Sequence, residues 1–196
     1  MNTVNTLGRL LGDLLSGTGS GGVAIAGLSI DSRQCLRGDL FFAYPGVAAD
    51  GRDYIAEAIA RGVSAVVYEA DEADIPDIGT VPLIAVKGLR EQVGVIAERF
   101  FDDPGRDLFI IGITGTNGKT SCAHLLAQAF ERLDVCAAVI GTLGWGLVHD
   151  LHKISLTTPD PVSLHRTLRD IRTLGATHVC MEVSSHALAQ GRVLGV

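Results

Sequence analysis

The most constraining stretch is residues 108–133, LFIIGITGTNGKTSCAHLLAQAFERL. It opens with an unbroken apolar run over 108–113, long enough for one strand buried on both faces of a parallel sheet. A loop follows, Thr114-Gly115-Thr116-Asn117-Gly118-Lys119-Thr120. The residues after it take a helical period, with Cys122, Leu125, Leu126, Ala129 and Leu133 on one apolar stripe. Strand, glycine loop, Gly-Lys-Thr and helix are together the parts of a phosphate-binding loop. Glycine lets backbone N–H groups turn toward a phosphate, and the helix N-terminus adds partial positive charge. In such a loop Lys119 reaches the β- and γ-phosphates of a nucleotide triphosphate, and the Thr120 hydroxyl sits on Mg2+. The spacing is a variant, because G-x-x-x-x-G-K-[ST] asks for glycine where the chain has Ile113, between Gly112 and Gly115. The bland alternative is a strand-to-helix turn that needs glycine for backbone reasons alone. The strand before the loop and the helix after it favour the nucleotide.

With 196 residues the chain is long enough for one large domain or two small ones. Its 47% hydrophobic and 19% charged residues are those of a soluble globular protein. A net charge of −6 argues against nucleic acid as a partner. No apolar run approaches the length of a membrane span, and no basic N-terminal region leads into an apolar core. Cys35, Cys122, Cys136 and Cys180 lack metal-ligand spacing; Cys136 and Cys180 in apolar strands and Cys122 on the helix stripe read as small buried hydrophobes, and a reducing cytoplasm is the default compartment.

The periodicity predicts a first domain of α/β type over residues 1–103. It holds a short helix over 1–15, a glycine loop over 16–22, and strands over 23–30, 39–44, 64–68 and 81–86. Helices over 53–61 and 89–101 complete it, with an acidic loop over 71–80. The charged Pro-Gly segment 102–107 is a linker by composition. Residues 104–196 then read as the first half of a parallel-sheet P-loop domain with three strands, 108–113, 135–140 and 177–183. Segment 141–159 reads as a loop. Asp160 and Pro161 start the next helix, Leu164, Leu168 and Ile171 form its buried stripe, and Gly175 stops it. Three strands are few for a nucleotide-binding sheet, so the sequence reads as ending inside this domain.

Glu182 stands at the C-terminal end of an apolar strand, the edge at which α/β sheets bind ligands, and could hold Mg2+ beside the P-loop. The ordinary alternative is a strand-end carboxylate paired to an arginine. Ser184, Ser185 and His186 do not make a nucleophile triad, since adjacent residues cannot assemble one and no G-x-S-x-G elbow is present. Gln190 and Arg192 could offer an amide and a fixed charge to a carboxylate or phosphate, although a lone arginine is more often a surface residue. Asp31-Ser32-Arg33 near Pro45-Gly46 reads as a turn. His124, His149, His152, His165 and His178 read as surface or packing residues.

Taken together, TGTNGKT (114–120), the Asp-Ser-Arg, GDLFFA and Pro-Gly series (31–46), ADGRDYI (49–55), TTP (157–159) and MEVSSHAL (181–188) resemble the Mur ligases. The resemblance covers nearly the whole chain after its first twenty or so residues. It implies an ATP-dependent ligase that joins a diamino acid, meso-diaminopimelate or L-lysine, to UDP-MurNAc-L-Ala-D-Glu through an acyl phosphate. It further implies that Gly115, Thr116, Asn117, Gly118, Lys119, Thr120 and Ser121 hold ATP, and that Thr120 and Glu182 hold Mg2+. Ile30, Ser32, Val47, Ala48 and Ala49 would hold the uridine end of the substrate, while Thr157, Thr158, Ser184, Gln190 and Arg192 line its path. Many relatives read GKTTT where this chain has Lys119-Thr120-Ser121-Cys122, and they continue beyond Val196. The expectation is therefore a catalytically silent portion whose open sheet edge favours self-association. Two other classes stay open: a binding module for a UDP-sugar or nucleotide, and a small-molecule P-loop kinase.

Overall fold

The structure, a computed structural model, describes residues 4–15, 19–47, 49–71, 79–154 and 156–196. Residues 1–3 of the expected first helix, part of the 16–22 glycine loop, Ala48 and most of the acidic loop lie outside them. The chain divides into two compact units, Met1–Phe100 and Phe101–Val196, just before the charged linker.

The first unit is a four-stranded parallel sheet in the order β1 (Gly27–Ser29), β2 (Asp39–Ala43), β3 (Ala65–Glu69), β4 (Leu83–Val86). All five residues of β2 are buried, as a central strand covered on both faces requires. Phe41 and Ala43 pack on one face against Ile55 and Ala58 of α2 (Ile55–Ala60). The expected N-terminal helix is shorter than its periodicity suggests. α1 covers only Leu7–Leu11, because Thr6 caps it and Gly12, at φ 53°, ends it. Arg99 and Phe100, closing α3 (Leu89–Phe100), tie this segment down: Arg99 Nη1 donates to Leu10 O at 2.8 Å, and Asn5 Nδ2 donates to Phe100 O at 3.2 Å. The N-terminus of α3 is closed by the buried carboxylate of Glu69, which accepts the N–H groups of Gly88 and Leu89, each at 2.8 Å.

The second unit holds β5 (Phe109–Ile113), α4 (Lys119–Glu131), β6 (Ala137–Gly141), β7 (Gly144–Leu147), β8 (Asp150–His152), α5 (Pro161–Thr173), β9 (His178–Glu182) and α6 (Ser185–Ala189). Its strand order is β5-β9-β6-β7-β8, with β5, β9 and β6 parallel and β7 and β8 an antiparallel hairpin. Residue alternation along β6 and β9 divides the core between two helices. Ala138, Ile140, Val179 and Met181 meet Leu164, Leu168 and Ile171 of α5, whereas Ala137, Val139 and Cys180 meet Ala123 and Ala127 of α4. Asp160 caps α5 by accepting the Ser163 N–H at 3.0 Å, with Pro161 at its first position, as expected.

Four expectations are corrected here. The segment 108–113 is not buried on both faces: β5 is an edge strand and Phe109 is 63% exposed, because β9 takes the central place between β5 and β6. The sheet has five strands, not three, since segment 141–159 contains the β7–β8 hairpin. Of the expected α4 stripe Cys122, Leu125, Leu126, Ala129 and Leu133, Leu126 packs half-buried against the sheet, whereas Cys122, Leu125, Ala129 and Leu133 are exposed, Leu125 and Leu133 to 64% and 72%. Small Ala123 and Ala127 face the sheet instead and let the helix lie close on it. Cys122 and Cys136 are exposed, and only Cys35 and Cys180 are buried.

His165 on α5 is fully buried, with Nε2 at 3.4 Å from Leu194 O and Nδ1 without a partner among the described residues. Burial pulls its pKa below the ordinary 6.5, against smaller opposing effects of the Leu194 carbonyl and the Asp103 charge. The unfolded chain therefore binds a proton that the folded chain refuses, and stability falls as pH drops through the ordinary value. Melting from about pH 7.5 to about pH 5.5 should show a steeper loss for the wild type than for His165→Leu. Equal slopes would remove His165 as the cause.

Candidate functional site

The C-terminal ends of β5, β9 and β6 lie side by side and carry the chemistry of the second unit. Glu182, the last residue of β9, pairs in register with Ile113, after which the glycine loop leaves the sheet. Its side chain is 1% exposed and, among the described residues, paired to no arginine. Oε1 accepts the Thr142 N–H at 2.8 Å, and Oε2 accepts the hydroxyls of Thr120 at 2.9 Å and Thr142 at 3.2 Å. This carboxylate occupies the space over Gly141, where an added Cβ would stand 2.0 Å from Oε1. Glycine at the end of β6 is thus required by close approach.

The loop itself turns on Gly115 and Gly118, at φ 145° and 80°, values that side-chain-bearing residues rarely adopt. Gly118 is the N-cap of α4 and supplies no side-chain bond to its first turn. The first-turn N–H groups and the helix dipole are in the arrangement that binds anions. Lys119 Nζ donates to Gly115 O at 2.7 Å, which folds the ammonium back over the loop. Thr116, Asn117, Gly118, Lys119, Thr120, Thr142, Thr157, Glu182 and Ser184 line one cavity of about 330 Å³. The sequence-expected Gly115 and Ser121 belong to the loop and helix but not to that lining.

Of the remaining expected residues, some reach this cavity and some brace it. Thr157 lines it, with Oγ1 at 3.1 Å from Thr142 Oγ1. Thr158 is buried and its hydroxyl is engaged, donating to Glu182 O at 2.9 Å and accepting the Ser184 N–H at 3.1 Å. Ser184 caps α6 through Ala187 N–H at 3.1 Å, so its hydroxyl serves as a cap rather than a nucleophile. Gln190 and Arg192 lie outside the cavity lining: Arg192 clasps Gln190 Oε1 at 2.9 and 2.6 Å and donates to Thr158 O at 2.9 Å. Sequence reading did not single out Gly141 and Thr142 for this site. A glycine ending an apolar strand, followed by a hydroxyl residue, was the available signal.

The first unit has its own cavity, of about 480 Å³, at the C-terminal ends of β1 and β2. Ile30, Ser32 and Ala49 line it together with Tyr44 and Tyr54, while Val47 is 84% exposed and does not. Asp31 caps the turn after β1 and grips Arg33 through two bonds of 2.9 and 2.8 Å, and this holds its carboxyl below the usual range. Ser32 donates to Glu57 Oε2 at 2.8 Å. Aromatic walls with a few fixed polar groups suit a flat ligand with a polar edge.

The family model described as the Mur ligase middle domain matches residues 113–196, and the one described as the Mur ligase family, catalytic domain, matches residues 24–101. The chain belongs to the Mur ligase family. A Coxiella burnetii protein named UDP-N-acetylmuramoyl-L-alanyl-D-glutamate--2,6-diaminopimelate ligase is 53% identical over 175 residues, covering 89% of this chain and 36% of that protein. A Pseudomonas putida protein of the same name is 52% identical over 166 residues, covering 85% and 34%. A solved structure titled with that ligase name superposes with a TM-score of 0.81 at 28% identity, over 99% of this chain and 39% of the other. A Mur ligase fold is also shared with the Thermotoga maritima MurF ligase solved in complex with ADP, at a TM-score of 0.55 and 19% identity over 81% of this chain and 32% of that one. The chain spans about a third of the length of the curated relatives it matches.

Among the described residues no helix is long and apolar enough to cross a membrane. Nor does any group of three or more His, Cys, Asp and Glu there form a metal site. A single carboxylate beside a threonine hydroxyl is a donor set for Mg2+ that keeps water and phosphate oxygens as its other ligands. Glu182 and Thr120 fit that description.

Proposed function

We propose that this chain is the nucleotide- and sugar-binding portion of an ATP-dependent amide ligase of peptidoglycan synthesis. The parent reaction joins 2,6-diaminopimelate, the amine in the names of the 53% and 52% identical relatives, to UDP-MurNAc-L-Ala-D-Glu. The D-glutamyl carboxylate takes the γ-phosphoryl group of ATP and releases ADP. The amine then attacks the acyl carbon and displaces phosphate. Phosphates would lie on residues 115–121 with Lys119 as the catalytic cation, and Thr120 and Glu182 would hold Mg2+, whose charge would offset that gathering on the phosphoryl oxygens. Residues 1–103 would hold the uridine end at Ile30, Ser32 and the 47–49 loop. In residues 104–196, Thr157 and Ser184 would face the substrate, and Thr158, Gln190 and Arg192 would brace them. Cytoplasm is the proposed compartment.

The observation that carries this reading is the meeting of Lys119, Thr120 and Glu182 at one cavity. Calorimetric titration of the chain tests it. Saturable binding of UDP-MurNAc-L-Ala-D-Glu, competed by UDP, with Mg2+-dependent binding of AMP-PNP, is the expected result. Failure of both ligands to bind would sink the reading.

Nothing among the described residues pairs with the outer edge of β5, and exposed Phe109 lies on that strand. We propose that two copies of the chain associate there. Light scattering on a size-exclusion column should show a mass rising with concentration, and a monomer at every concentration would count against it.

A further inference from the structure

We propose that Thr142 is a positioning residue that fixes the Glu182 carboxylate and turns Thr157 into a hydrogen-bond acceptor for a donor group on the sugar-peptide substrate. The inference rests on the nucleotide reading above and extends it to a residue that reading does not use.

Proton counting carries it. An ionised carboxylate only accepts hydrogen bonds, and a threonine hydroxyl has one proton to give. Thr142 donates that proton to Glu182 Oε2 at 3.2 Å. The 3.1 Å contact between the Thr142 and Thr157 hydroxyls must then be made by the proton of Thr157. The result is a directed chain, Thr157 to Thr142 to Glu182, with Thr120 donating to the same oxygen from the loop side. Thr157 is left with lone pairs only, so it suits an amide N–H or a hydroxyl and not a second carboxylate or phosphate. Meanwhile the Thr142 N–H, at 2.8 Å from Oε1, pins the other carboxylate oxygen above Gly141. One residue thereby orients the nucleotide side and the peptide side of the same 330 Å³ cavity.

Thr142→Val keeps the shape and the N–H but removes the hydroxyl, and Thr142→Ser restores it. Calorimetry would follow AMP-PNP with and without Mg2+, and UDP-MurNAc-L-Ala-D-Glu separately. Thr142→Val should cut the Mg2+-dependent gain in AMP-PNP affinity roughly tenfold and leave the metal-free affinity within about twofold, with Thr142→Ser near wild type. Thr142→Val and Thr157→Val should each weaken the sugar-dipeptide by about the same factor, and the double variant no further, because the two hydroxyls act as one chain. An unchanged Mg2+ gain in Thr142→Val, or additive losses in the double variant, would overturn the proposal. So would a loss of metal-free binding and melting temperature together that serine does not rescue, since that marks a packing role. If the wild type shows no Mg2+-dependent gain, the nucleotide reading itself fails, a result visible before any variant is made.

Discussion

Gly141→Ala is expected to destabilise the second unit by about 2–4 kcal/mol, combining overpacking with loss of hydrogen bonds to a buried carboxylate. The Cβ would lie 2.0 Å from Glu182 Oε1 and 2.6 Å from its Cδ, distances no side chain tolerates. Neither group has an easy retreat: Gly141 sits in β6 beside β7, and Glu182 is held by Thr142 and Thr120. Rotating the carboxylate away breaks those bonds and leaves a buried charge without partners. A double-mutant cycle isolates the cause. In a Glu182→Ala background the added methyl has room, so the cost of Gly141→Ala should fall below about 1 kcal/mol. Equal costs in both backgrounds would mean that the strand, not the carboxylate, demands glycine.

This dependence explains which parts of the molecule were legible in the sequence. Features set by local chemistry were readable: the Asp160-Pro161 start of α5, its Leu164, Leu168 and Ile171 stripe, the glycine loop, and Glu182 at a strand end. Features set by the order of strands were not. β9 lies last in sequence yet enters between β5 and β6, so the apolar run that looked central became an edge. On α4 two apolar stripes share one sequence. Alanine on the rival stripe won, because small residues at 123 and 127 bring the helix closer to Val139 and Cys180 than leucine would. The β7–β8 hairpin was hidden by Gly144 and Gly146, which read as loop but permit φ of 139° and 132° where the hairpin backbones approach. Thr142 acts through a partner 40 residues away, and no local pattern announces that.

Lys119→Ala should have the opposite profile to Gly141→Ala, weakening AMP-PNP roughly a hundredfold while leaving the fold intact. Among the described residues the ammonium bonds to Gly115 O, on an exposed loop, so its removal should change stability by no more than about 0.5 kcal/mol. With a triphosphate bound it would exchange that carbonyl for charged oxygens, and hydrogen bonds between ions contribute about 1.5–3 kcal/mol each. At the low end of that range one such bond accounts for about tenfold, and two reach the expected loss. Lys119→Arg keeps the charge but not the shape: a planar guanidinium is larger than the ammonium that folds over Gly115, so only part of the affinity should return. The gap between wild type and Lys119→Ala should narrow as salt rises, because the lost interaction is ionic and solvent-exposed in part. If Lys119→Ala instead bound nucleotide like the wild type, the glycine loop would be a backbone device for joining β5 to α4. The cavity beside Glu182 would then need a different ligand.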